Sequence, residues 1–161
     1  MTSTQLKQSF STVSGKIRKL ELDHNLGPDT VRLIAVSKTR TIDEILTLVR
    51  LGQKDFGENY VQEALDKMTG LADEDITWHF IGPIQKNKTK LIAQHFDWFH
   101  SFDREIIESR LNEQRPENMP PLNICIKVNI DNEESKSGID SNDLLTLAGQ
   151  IRALPNLNLR G

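Results

Sequence analysis

Two rhythms of apolar positions run along this chain. Leu6, Phe10, Val13, Ile17 and Leu20 are spaced alternately by four and three with polar residues between them. That pattern predicts a helix over residues 4–24 with one narrow apolar stripe, stopped by Asn25-Leu26-Gly27-Pro28. The stripe needs a surface to lie on, and the chain's own domain is the expected one. From Val31 onward the rhythm changes. Strand-like runs begin near Val31, Asp55, Ile76, Asp97 and Leu122, and helical spacings lie between them. Ile42, Ile45, Leu46 and Val49 form one helical face closed by Gly52; Val61, Ala64, Leu65 and Met68 form the next, closed by Gly70. Ile106, Ile107 and Leu111 belong to a later helix, and Leu144, Leu147, Ala148 and Ile151 to another. A strand–helix unit of roughly two dozen residues, repeated this way, predicts βα units and a parallel sheet.

Parallel units wind into an open sheet or close into a barrel. No glycine-rich dinucleotide fingerprint follows the first strand, which removes the best-marked open-sheet alternative. Uniform unit length favours a barrel. The expected fold class is α/β: a TIM (β/α)8 barrel truncated after about five βα units. It forms a single domain over 1–161, with an extra N-terminal helix in 1–27 and the incomplete barrel in 31–161. A full barrel takes about 250 residues. Here a sixth strand opens at Leu157-Asn158-Leu159-Arg160, just before Gly161. Five strands cannot close an eight-stranded barrel, so the sheet stays open, or a second chain or segment completes it.

Composition narrows the function classes. The 161 residues are 37% hydrophobic and 27% charged, as in an ordinary globular domain. A net charge of −3, from 20 basic and 23 acidic residues, argues against a general nucleic-acid or membrane binder. The single cysteine, Cys125, excludes an internal disulfide and a cysteine-only metal site, and reads as a small core residue. No signal-type segment and no apolar run near twenty residues is visible, which leads to the expectation of a soluble, cytoplasmic protein.

The candidate chemistry centres on Arg32-Leu33-Ile34-Ala35-Val36-Ser37-Lys38-Thr39, an apolar strand ending in a lysine. Thr41-Ile42-Asp43-Glu44 then opens a helix as a capping box. Lys38 thus sits on a strand-to-helix turn, where parallel α/β folds bind ligands. A buried amine is driven toward its neutral, nucleophilic form, suited to Schiff-base formation with an aldehyde such as pyridoxal phosphate. A cation holding a phosphate or carboxylate is the alternative, and spacing does not choose between them. Asn59, three residues before Gln62, reads as a cap of the second helix that still faces the site. His79 reads as a hydrogen-bonded core histidine, and Lys86, Lys88 and Lys90 as a solvated face. Lys136 reads as loop surface, with a second amine at the pocket rim as the alternative. No metal-ligand spacing, nucleophile elbow or Walker-type loop is found.

Ala35-Val36-Ser37-Lys38-Thr39, Phe56-Gly57-Glu58-Asn59-Tyr60-Val61-Gln62-Glu63 and His79-Phe80-Ile81-Gly82-Pro83-Ile84-Gln85-Lys86-Asn87-Lys88 resemble the pyridoxal phosphate homeostasis (YggS-like) family. His100-Ser101-Phe102-Asp103-Arg104 and Glu134-Ser135-Lys136-Ser137-Gly138-Ile139 fit the same family in the same order. The resemblance implies a barrel of the alanine racemase N-terminal type carrying pyridoxal 5′-phosphate (PLP). Lys38 would form the Schiff base, with Asn59, Ser101 and Lys136 the other candidate cofactor-binding residues. It also implies a protein that binds, buffers or hands over the cofactor without its own catalytic turnover. A PLP-dependent racemase or lyase using the same lysine is the enzymatic alternative, although the only tyrosine, Tyr60, stands at a helix start. A non-binding fragment that pairs with another chain is the third reading. The family's later phosphate loop and ring-facing arginine lie outside this sequence. Three phosphate contacts at roughly 1.5–3 kcal/mol each amount to about 5–9 kcal/mol, so weak or no cofactor binding by the 161 residues alone is expected.

Overall fold

The structure, a computed structural model, describes residues 2–102, 105–131 and 137–161, with backbone only for Glu105 and Ile106. In chain order the elements are α1 (Ser3–Asp23), β1 (Ala35–Val36), α2 (Ile42–Val49), β2 (Asp55–Glu58), α3 (Val61–Gly70) and β3 (Thr77–Phe80). They continue as α4 (Thr89–His95), β4 (Trp98–Phe102), α5 (Glu105–Gln114), β5 (Leu122–Ile126), α6 (Leu144–Arg152) and β6 (Leu157–Leu159). The strands form one six-stranded sheet in the order β1-β2-β3-β4-β5-β6, and every pairing is parallel.

An order that never reverses means that every crossover advances the same way. Right-handed crossovers then place all the helices on one face, whereas a doubly wound sheet reverses its order and carries helices on both. The molecule is therefore an arc of a singly wound barrel, as the uniform unit length predicts. β1 and β6 are its edges. The strands beginning near Asp55, Ile76, Asp97 and Leu122 lie where the sequence places them. The run from Val31 yields only Ala35–Val36 as strand, because only these residues pair with β2, through Ala35↔Phe56 and Val36↔Gly57.

The core fills the space between sheet and helices. Phe56, Phe80, Phe99, Leu122 and Ile124 enter it from the strands; Ile45, Ala64, Ile92, Ile107 and Ile151 enter from the helices. Strand alternation turns the intervening positions to the other face. This corrects the reading of Cys125 as a core residue. Leu122, Ile124 and Ile126 take the helix side, so Cys125 is half-buried on the opposite one, where burial pushes its thiol pKa up.

The helix α1 starts on a capping box between Thr2 and Gln5 and packs against α2. Its docking face is rotated from the predicted stripe: Val13 and Leu20 remain 45% and 55% exposed, while Glu21 is 2% exposed. The cause is polar. Glu21 accepts hydrogen bonds from the Val31 N–H at 2.7 Å and from Arg18 at 2.5 Å, which pulls that side of the helix inward. A second buried polar group, Arg115, donates to the carbonyls of Ala93 and Phe96 at 2.7 Å and of Pro120 at 2.8 Å. It thereby satisfies carbonyls at the end of α4 that have no intrahelical partner. No helix among the described residues is long and apolar enough to cross a membrane.

Phe99 is fully buried and in ring contact with Phe80 and Phe102. Phe99→Ala is expected to cost about 3–5 kcal/mol, read as a lower urea midpoint at an unchanged denaturant slope.

Candidate functional site at the carboxyl ends of the strands

Of the polar residues singled out in the sequence, Lys38 and Asn59 follow the carboxyl ends of β1 and β2. Ser37 continues the β1 ladder, its N–H donating to the Gly57 carbonyl at 2.9 Å. The chain then turns: the Arg40 N–H donates to the Ser37 carbonyl at 2.9 Å, with Lys38 and Thr39 at the two central positions. Thr39 has φ +61°, at the position where such a turn usually takes glycine. The capping box at Thr41 and Glu44 forms as predicted and opens α2. Lys38 is exposed, which corrects the reading of a buried strand-end amine, because the chain turns away from the sheet at Ser37; among the described residues its ammonium has no hydrogen-bond or ion-pair partner. Pairing of Val36 with Gly57 carries Lys38 level with Asn59 on the neighbouring strand end.

Asn59 does not cap the second helix. The backbone stays extended through Tyr60 (φ −121°, ψ 116°), so the helix begins one residue later and Tyr60 occupies the cap position without a side-chain cap bond. The Asn59 Oδ1 atom is buried and has no hydrogen-bond partner among the described residues. Gly82 lets the β3 end close on it, since a Cβ at Gly82 would lie 2.4 Å from the Asn59 carbonyl oxygen. A cavity of about 500 Å³ opens beside these loops, walled by Asn59, Gln62, Pro83, Gln85 and Lys88. Lys86 and Lys90 are exposed, as predicted, and Lys88 is half-buried. The Ser101 hydroxyl is spent on the Ile81 carbonyl at 3.0 Å, tying β4 to the end of β3. Lys136 lies outside the described residues.

Two polar clusters flank the strand ends. On the helix side, Glu58 of β2 is fully buried, and its Oε1 accepts from the Ser37 hydroxyl and the Lys67 ammonium, both at 2.7 Å. Lys67, 6% exposed on α3, also donates to the Ser37 carbonyl and to Glu63 Oε1, each at 2.7 Å. All three ammonium donors are thus used. Glu63 accepts from the Thr39 N–H at 2.6 Å. Its carboxyl pKa is lowered, chiefly by the hydrogen bond from Lys67. Sequence reasoning did not bring these three together. The available signal was Glu63 and Lys67 at i, i+4, with Lys67 three residues past Ala64 on the sheet-facing side.

On the other face, Asp55 bonds His79 Nε2 at 2.9 Å, and His79 Nδ1 meets His100 Nε2 at 2.9 Å. A carboxylate at one end fixes the tautomers: His79 gives its Nε2 proton to Asp55, and His100 gives its Nε2 proton to His79. Trp98 stacks on both imidazoles, at 5.4 Å and 5.6 Å between centroids. His79 is therefore the hydrogen-bonded buried histidine that the sequence suggested. Burial lowers both histidine pKa values, and for His79 it outweighs the opposing pull of Asp55.

The alanine racemase N-terminal domain model matches residues 19–161. A pyridoxal phosphate homeostasis protein of Vibrio cholerae is 48% identical over 160 residues, covering 97% of this chain and 68% of that protein. One of Pseudomonas aeruginosa is 49% identical over 156 residues, covering 97% and 68%. The chain belongs to the pyridoxal phosphate homeostasis protein family. It spans about two thirds of the length of these relatives. The structure of PipY from Synechococcus elongatus with PLP bound superposes with a TM-score of 0.75 at 36% identity, covering 89% of this chain and 66% of that one. Alanine racemase of Corynebacterium glutamicum, at 17% identity, a TM-score of 0.58 and coverage of 83% and 38%, shows the shared fold alone.

Burial of neutral His79 and His100 sets a pH dependence. Their folded-state pKa values lie below 6.5, so the unfolded chain binds more protons in the window below that value. Their contribution is complete above pH 6.5 and is lost as pH falls through the lowered folded values. Unfolding free energy measured against pH is expected to decline on acidification from neutrality, and a His79→Gln/His100→Gln variant to show a shallower decline.

Proposed function

We propose that this chain is a PLP-binding protein of intracellular cofactor homeostasis, in which the Lys38 amine is the Schiff-base partner and no turnover of its own is performed. The observation that carries the reading is the placement of an exposed amine, Lys38, level with a buried amide oxygen, Asn59 Oδ1, at the strand ends. The Lys38 ammonium has no partner among the described residues, and Asn59 Oδ1 is buried without one. Both sit at the end of a parallel sheet that binds ligands in this architecture. The chemistry the cofactor supplies when bound is its aldehyde, which a neutral amine takes up with loss of water. Lys38 provides the amine and Asn59 a polar edge beside it. Ser101, whose hydroxyl holds the Ile81 carbonyl, acts by fixing the neighbouring strand ends. The names of the relatives and the PLP-bound PipY structure support the same reading.

One observation favours a catalytic reading. His100 is a neutral imidazole on the same face as Lys38, and its Nδ1 is an acceptor once Nε2 donates to His79. Tyr60 gives that reading no support, being 61% exposed at the start of α3.

Intact-mass analysis after mixing with PLP and reducing with borohydride, followed by peptide mapping, tests the proposal. A single adduct on Lys38 that disappears in Lys38→Ala is expected, because irreversible reduction accumulates label even where the cofactor is held weakly. Scattered adducts on Lys86, Lys88 and Lys38 alike would contradict it. Amino-acid racemisation that is lost in both Lys38→Ala and His100→Gln would move the assignment to the enzyme.

A further inference from the structure

The ion cluster on the helix side stands where its bonds act on Lys38. The Lys67 ammonium could satisfy itself on carboxylates alone, yet one of its three bonds goes to the carbonyl of Ser37, the residue before Lys38. Glu63 accepts from the N–H of Thr39, the residue after Lys38. The two peptide groups that flank the Lys38 Cα are therefore both held by one cluster, in which Glu58 and Lys67 are buried and Glu63 is half-buried. The turn between them needs holding. Thr39 is β-branched and has φ +61°, a strained conformation that persists only where the surroundings impose it. Strand alternation, which sends Ser37 to the helix side and its hydroxyl to Glu58, sends the Lys38 side chain to the opposite face.

A purely structural role explains this placement poorly. Buried ion pairs add little over apolar packing of the same volume, and α3 already docks through Val61 and Ala64. The ions also leave a loose end, since Glu58 Oε2 is buried without a partner among the described residues.

We propose that Lys67, Glu58 and Glu63 are positioning residues for the Lys38 amine, clamping the strained turn so that the amine projects from a fixed backbone toward an aldehyde ligand. The aldehyde part rests on the cofactor reading above; the clamp itself does not. With the turn fixed, the amine meets the aldehyde carbon without the entropy loss of first ordering its own backbone. The neutral amine nitrogen adds to the aldehyde carbon; the nitrogen's two hydrogens leave with the carbonyl oxygen as water, and a C=N bond replaces the C=O bond.

The test uses the full chain and two variants. Glu63→Ala removes the partner of the Thr39 N–H at a half-buried site. Glu58→Gln/Lys67→Met removes both buried charges together, so that neither is left uncompensated. Amide hydrogen exchange at Thr39, and the distribution of borohydride-trapped PLP among the lysines as a function of pH, are read in each protein after circular dichroism shows that it is folded. The expected result is a protected Thr39 amide and Lys38-selective label in the wild type. In both variants Thr39 exchanges faster and the Lys38 share falls severalfold, toward that of Lys86 and Lys88. Unchanged Thr39 exchange overturns the clamp. Faster exchange with an unchanged Lys38 share and pH profile overturns the positioning role. A wild type without selective labelling overturns the cofactor reading, and the Thr39 exchange rates alone then uphold or overturn the clamp.

Discussion

Neighbouring parallel strands cannot be joined by a tight turn; each pair needs a crossover that brings the chain back to the same end of the sheet. Here every crossover advances in one direction, so the helices share one face and the strands all point their carboxyl ends the same way. The large apolar side chains, Phe56, Phe80 and Phe99 among them, collect between sheet and helices. The other face is left to groups of different character, such as Asp55, His79, His100 and Asn123. The same winding collects the outgoing turns at one rim, which is how Lys38 and Asn59 reach one level although they stand 21 positions apart.

The two polar clusters around that rim solve burial in opposite ways. On the helix side the groups keep their charges and compensate them pairwise, a cation between two carboxylates and a carbonyl. On the other side the imidazoles give up their charge, because burial outweighs the attraction of Asp55. A charged cluster is stiff, since each bond it loses leaves an ion stranded in a poor solvent. A neutral chain of imidazoles costs less to disturb and takes up charge only on acidification below the ordinary histidine value.

The sequence made the winding readable because periodicity and unit length are local properties. The strand starts near Asp55, Ile76, Asp97 and Leu122 and the capping box at Thr41 depend on neighbours a few residues away. Lys38 was legible for the same reason, as a lysine closing an apolar run. Lys67 was not. On a helical wheel it is an ordinary cation with Glu63 one turn before it, and only the fold shows that it lies under Ser37, thirty positions earlier. Asn59 looked like a cap because asparagine usually is one in that setting; the extended backbone at Tyr60 decides otherwise. The rotation of α1 was hidden for a similar cause. Hydrophobic spacing weighs Val13 and Leu20, whereas the docked face follows a carboxylate, Glu21, that bonds beyond its own helix.

Repeated βα units invite the view that each is a module whose stability simply adds to the next. Arg115 argues against it. Its guanidinium joins Ala93 in the last turn of α4 and Phe96 that caps it to Pro120, two residues before β5, so it ties the carboxyl end of one unit to the entry of the next strand. None of these carbonyls gains that donor until the segment after α5 is in place. The middle of the sheet should therefore open and close as one cooperative block rather than unit by unit, with local fluctuation confined to its margins.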